Sequence, residues 1–187
     1  MSTHIPLIDF SAASEARLAV EIDRALTDIG FMMVTGLGVD DELLELVYAS
    51  SKQFFTGPAA VKQRCAYRNA AENFGYQGLQ QENLDPTAPA DIKETFTMRD
   101  ILNRPLPDTR WPDTGFRDLI SRFYREVLQA GYRLQRVLAR ALEVPPDFFT
   151  QVHSGENVTL RLLYYPNEGV DHLELRVDRR IRIHRGD

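Results

Sequence analysis

Four histidines, one cysteine and one arginine set inside an apolar run are the residues of this sequence with chemistry to offer. A metal ion takes imidazole, thiolate and carboxylate ligands only where their spacing lets three or four converge. His4, His153, His172 and His184 are widely scattered. In "HRGD" the aspartate stands three residues after His184, and His172 and His184 lie twelve apart without a hairpin signal between them. Solvated histidines and no metal site are the expectation. Cys65, in "QRCAYR", has basic neighbours but no histidine beside it, so it reads as a structural or exposed thiol. No GxSxG, P-loop or GxGxxG sequence occurs. No catalytic residue is assigned.

Arg161 is the informative residue. It sits in "VTLRLLYYP", residues 158–166, where an unpaired charge is expensive to bury. It faces either solvent, on the polar side of a strand, or a cavity that holds an anion; both readings stay open. If the strand is regular, Tyr165 shares its face and Tyr164 does not. An arginine and a tyrosine on one face can hold a carboxylate by charge-assisted hydrogen bonds. Lys93–Glu94, by contrast, reads as a surface ion pair of little energetic weight.

These residues need elements to position them. "IPLIDF" at 5–10 is a short extended segment. Ser11 is placed to cap a helix whose apolar residues recur at Leu18, Ile22, Ala25, Leu26 and Ile29, with Gly30 as its stop. "FMMV" at 31–34 predicts a buried strand, and "TGLG" a turn with two glycines free to take positive φ. Asp40 opens a second helix with Leu43, Leu44, Val47, Tyr48, Phe54 and Phe55 on one face. Residues 62–110 read as a packed loop system with extended pieces at "NFGYQG" and "ETFTM". From Phe116 to Val144 an apolar stripe predicts one long helix, stopped by Pro145–Pro146. "VTLRLLYYP" is a strand by residue type.

A chain of 187 residues forms one domain, or one and a piece. Its hydrophobic share of 43% and charged share of 26% are ordinary globular values. A net charge of -5 argues against nucleic acid as the main partner. One cysteine allows no internal disulfide, the N-terminus lacks a signal-peptide pattern, and no apolar run reaches a membrane span. A cytoplasmic protein is expected, with no membrane partner.

In this order, the pieces resemble the iron(II)/2-oxoglutarate-dependent oxygenases of the isopenicillin N synthase type. The matching stretches are "IPLIDFS", "DIGFMMVTGLGV", "QFFTGPAAVK", "NFGYQGLQQE", "DIKETFTM", Trp111–Pro112, the long helix and "LRLLYYP". They cover residues 4 to about 168. Leu37 stands where the family usually has a histidine that is not an iron ligand. The resemblance implies an α+β fold, with N-terminal helices packed on an incomplete double-stranded β-helix, or jelly roll. It implies Fe(II) and 2-oxoglutarate as cofactors, a small-molecule substrate, and Arg161 and Tyr165 as residues of the substrate and cosubstrate cavity.

The family's iron ligands are H-x-D and a later histidine, with an R-x-S pair for 2-oxoglutarate. The window where H-x-D is due holds the arginine-rich text "VDHLELRVDRRIRIHRGD" and no such motif. Residues 1–168 are therefore expected to be the N-terminal region of a non-haem dioxygenase, and 169–187 an aberrant tail. One codon choice for residues 180–184, read from its third base, spells His-Thr-Asp-Ser, which suggests a shifted reading frame. Neither cofactor is expected to bind this chain, and turnover is not expected. The rival expectation is a small non-enzymatic α/β protein that binds or self-associates.

Overall fold

A computed structural model describes residues 4–81, 92–153 and 157–166, with the backbone of Leu175–Arg176. The aberrant tail expected at 169–187, with His172 and His184, otherwise lies outside the described residues. The chain divides into two compact units, Met1–Asp40 with Arg125–Ser154, and Asp41–Tyr124 with Gly155–Asp187.

In the first unit, strand β1 (Leu7–Asp9) pairs in parallel with β2 (Met33–Thr35), Ile8 opposite Val34. Helix α1 (Glu15–Asp28) connects them. Its cap is Ser14, whose side chain accepts from the Arg17 N–H, and not Ser11 as the sequence suggests. Ser11 turns back instead: its N–H and hydroxyl both donate to Asp9 Oδ1, at 2.8 and 2.7 Å. That pair of bonds, the hydroxyl first, holds the Asp9 carboxyl below the usual carboxylate range. Gly36 (φ +66°) closes the same turn, where a Cβ would lie 2.6 Å from Asp9 Oδ1. The core gathers Ile8, Phe10, Leu18, Ile22, Ala25 and Val137.

The expected buried strand at Phe31–Val34 is corrected. The ladder starts two residues later, and Phe31 and Met33 are 69% and 52% exposed. A strand paired to one neighbour in a two-stranded sheet covers only alternate side chains. Met32 and Val34 pack on the core, while Phe31 and Met33 alternate outward.

The second unit holds α2 (Asp41–Phe55), α3 (Ala59–Arg64) and a four-stranded sheet. Its strands are β3 (Gly75–Gln77), β4 (Glu94–Arg99), β5 (Thr159–Tyr164) and β6 (Leu175–Arg176), in that order and antiparallel throughout. The extended pieces expected at "NFGYQG" and "ETFTM" are β3 and β4, and the end of α3 reaches into the start of the region expected as loops. Helix α3, six residues long, is too short to show a period. Gly75 (φ +122°) lets β3 run against residues 65–67, where a Cβ would stand 2.6 Å from the Cys65 carbonyl oxygen. Arg110, 3% exposed, donates to the carbonyls of Ala66 and Phe74 and to Glu72 Oε2, tying down the segment that enters β3.

Helix α4 (Thr114–Ala141) contributes residues to both units. Asp113 Oδ1 accepts from the Phe116 N–H at 2.8 Å and opens it. The expected proline stop is corrected. Glu143 takes a left-handed φ of 55°, with Val144 N–H bonded to the Ala139 carbonyl and Glu143 N–H to that of Arg140. That is a Schellman ending, complete before Pro145 is reached.

Candidate functional site

Strand β4 reads Glu-Thr-Phe-Thr-Met-Arg, a polar and apolar alternation that sends its side chains to two faces. The register with β5 sets Phe96 against Leu162 and Glu94 against Tyr164 on one face. It sets Thr97 against Arg161, Thr95 against Leu163 and Arg99 against Thr159 on the other. From β3, Tyr76 joins the first face, and Gln77 and Gly75 the second.

The first face is an aromatic core. Phe54 lies edge-on to Tyr76 and Phe96, Phe74 to Trp111, and Tyr164 stacks on Phe55 at 5.4 Å. One ionic group is enclosed there. Lys62 Nζ donates to Glu94 Oε2 at 2.9 Å and to the Phe55 carbonyl at 2.9 Å, and the Tyr76 hydroxyl donates to the same Oε2 at 2.7 Å. The expected surface pair Lys93–Glu94 is corrected: Glu94 is 8% exposed, and its cation is Lys62. Burial, then the hydrogen bond to Glu94 and that group's charge, push the Tyr76 phenol well above its ordinary pKa.

The second face is polar. Thr95 and Thr97 are buried at 1% and 3%, and Arg99 and Arg161 are partly buried. At its open end the Asn73 amide donates to Thr159 Oγ1 at 3.3 Å, and Arg99 Nη2 donates to the Ala71 carbonyl at 3.1 Å. Arg161 therefore lies on a polar face next to threonines, not among the aromatic side chains. Tyr165 follows the last paired residue of β5 and is 42% exposed. Sequence reasoning missed Thr95, Thr97, Arg99 and Gln77. The alternation in "ETFTMR" was the available signal for the first three.

Of the histidines, His4 and His153 are described, and among the described residues no group of three metal-ligating side chains comes together. Cys65 is buried, and burial raises its thiol pKa while Arg64 and Arg110 oppose the rise. Among the described residues no helix is long and apolar enough to cross a membrane.

The second unit thus holds an antiparallel sheet with one aromatic and one polar face. The family described as "non-haem dioxygenase in morphine synthesis N-terminal" matches residues 5–115, and the chain belongs to it. It is 26% identical to the 2-oxoglutarate-Fe(II) type oxidoreductase ppzC of Metarhizium rileyi, over 92% of this chain and 54% of that protein. The chain spans about half the length of the curated relatives it matches. Among solved structures, a 2OG-Fe(II) oxygenase family protein from Caulobacter crescentus superposes with a TM-score of 0.74 at 26% identity, covering 91% of this chain and 59% of that one. JOX2, solved with 2OG, Fe and JA, gives 0.72 at 25% identity over 88% and 49%. A full-length Neurospora crassa protein solved with alpha-KG and thymine gives 0.71 over 87% and 55%, at 24% identity, a likeness of fold.

Proposed function

We propose that this chain is the N-terminal part of an Fe(II)/2-oxoglutarate-dependent oxygenase that oxidises a small molecule. The observation that carries the reading is the polar sheet face bearing Arg161, in a chain whose relatives include 2-oxoglutarate-Fe(II) oxidoreductases. In this reading β3, β4 and β5 are one wall of a jelly roll, and Arg161 and Tyr165 line its cavity. Arg161 supplies a fixed positive charge there, and Tyr165 a hydroxyl at the mouth. When bound, iron(II) and 2-oxoglutarate would supply the oxidising chemistry. The chain's own residues bind and orient anionic groups and keep bulk water from the buried threonines.

The chain as written has no H-x-D motif, so we propose that it neither holds iron(II) stoichiometrically nor turns over. Anaerobic titration with iron(II), or cobalt(II) as a spectroscopic substitute, tests this. The expected result is weak, non-stoichiometric uptake. A single site of micromolar affinity would overturn it and make His153, His172 and His184 the residues to replace. The reading-frame proposal for 169–187 is tested by the nucleotide sequence beyond codon 170. It fails if no frame there encodes H-x-D followed by a histidine and R-x-S.

A second reading, self-association without catalysis, is favoured by one observation. Leu7 and Met33, paired across β1 and β2, are 61% and 52% exposed, with Ile5 and Phe31 also exposed. Light scattering of the purified chain decides it. A monodisperse monomer removes this reading.

A further inference from the structure

Within the first unit, α4 from Arg125 onward carries Arg125, Arg133 and Arg136, eight and three residues apart. At about 3.6 residues per turn all three return to one side of the helix. With Leu37 and Gly38, from the turn after β2, they line a groove of about 380 Å³. Arg133 is fixed in place: its Nη1 donates to the Gly36 carbonyl at 2.9 Å and its Nη2 to the Phe10 carbonyl at 2.6 Å. Those acceptors are neutral, so they hold the guanidinium without cancelling its charge. Arg125 and Arg136 are exposed and make no hydrogen bond or ion pair among the described residues. The lining includes one carboxylate, Glu126, whose Oε2 accepts from the Asp40 N–H at 3.2 Å. Three cations therefore face one anion here, on a chain whose net charge is -5. A local reversal of sign draws acidic ligands to that place.

The dimensions narrow the ligand. Arg125 and Arg136 are eleven residues apart, about 16 Å along the helix at about 1.5 Å per residue. One phosphate or carboxylate cannot reach both. An extended segment of about five residues, each about 3.3 Å long, covers that distance and turns alternate side chains to one side. The groove also has room for a backbone. Ala130 is buried, Leu37 is half-buried, and a Cβ on Gly38 would meet nothing within 4 Å. A long nucleic acid fits less well, because the net negative charge opposes it beyond the groove.

We propose that this groove docks an extended acidic segment of a partner protein, with carboxylates at alternate positions facing Arg125, Arg133 and Arg136. Such docking does not depend on the oxygenase reading, since no residue of the β3–β4–β5 sheet takes part.

The test titrates the full 187-residue chain against a fluorescent peptide in which glutamate alternates with alanine, and reads anisotropy. Three probes serve as controls: the same peptide with glutamine for glutamate, one with the same glutamates in a single block, and an oligouridylate of equal charge. The alternating peptide is expected to bind saturably, more weakly as salt rises, and more tightly than any control. Arg125→Gln and Arg136→Gln should each weaken it about two- to fivefold, and together about tenfold. Arg24→Gln, an exposed cation of α1 paired with Asp28, should leave binding unchanged. Both arginines of the groove are exposed and unbonded among the described residues, so the unfolding midpoint should not move. Where a variant does not fold, the unmodified chain with nitrogen-labelled arginine gives a second reading: the Nε–H resonances of Arg125 and Arg136 should shift with the alternating peptide. No saturable binding, unmoved resonances, equal binding of the block peptide, or undiminished binding in the folded double variant overturns the proposal. Tighter binding of the oligouridylate overturns it in favour of a nucleic-acid surface.

Discussion

The two faces of the β3–β4–β5 sheet are made by the same strands, and they obey opposite rules. On one, Phe96 meets Phe54, Phe74 and Trp111, and a lysine and a carboxylate enclosed there are bonded to each other. On the other, arginines and threonines stand side by side, and Thr95 Oγ1 and Arg99 Nε have no hydrogen-bond partner among the described residues. The first face satisfies its ionic groups internally, as a core must. The second carries arginines and threonines beside Leu163.

Substitutions can break that comparison. The largest effect belongs to Phe96→Ala, which removes a fully buried ring from the centre of the aromatic face. It should cost about 3–5 kcal/mol in denaturant unfolding. A cost below about 1 kcal/mol would mean that this face is not the core.

Lys62→Met comes next. It strips the Lys62 cation from Glu94, an enclosed carboxylate that keeps the Tyr76 hydroxyl. Breaking one side of a buried pair costs about 3 kcal/mol or more. The double change Lys62→Met with Glu94→Leu should recover much of it, and failure to recover would show that Lys62 acts mainly through the Phe55 carbonyl.

Alkaline pH sharpens the contrast more gently. The phenol of Tyr76 is raised in the folded state above its ordinary value of 10.0. Its stabilisation is therefore complete below pH 10 and declines as pH rises past that value, because the unfolded chain releases the proton first. Unfolding followed from about pH 8 upward should show this loss, and Tyr76→Phe should flatten it. Asp9 shifts the other way: its lowered pKa contributes stability above the unfolded value, lost as pH falls through the folded one.

The smallest effect is expected from Thr95→Val. Its hydroxyl has no partner to lose among the described residues, so stability should change by about 1 kcal/mol or less, in the favourable direction. A large destabilisation would place Thr95 among the structural groups.

Sequence by itself determined the elements whose signal is local. Helices α1, α2 and α4 were legible because their apolar residues return every three or four positions, and β5 because it is a short run of branched and aromatic residues. Family membership was legible for a related reason, since it depends on several short motifs in order. Glu143 was not legible as the end of α4, because a left-handed glutamate has no distinctive sequence and the prolines beyond it are conspicuous. Nor was the exposure of Phe31 and Met33, which depends on how many strands pair with β2. Glu94 read as a surface charge beside Lys93, and only folding brought Lys62, 32 positions earlier, to within 2.9 Å of it. The arginine pair needed the same step. Arg99 and Arg161 are separated by the whole of α4, and only the register of β4 on β5 makes them neighbours. Periodicity tells a side chain which way to point along its own strand, but strand pairing, settled by the burial of the opposite face, decides what stands next to it.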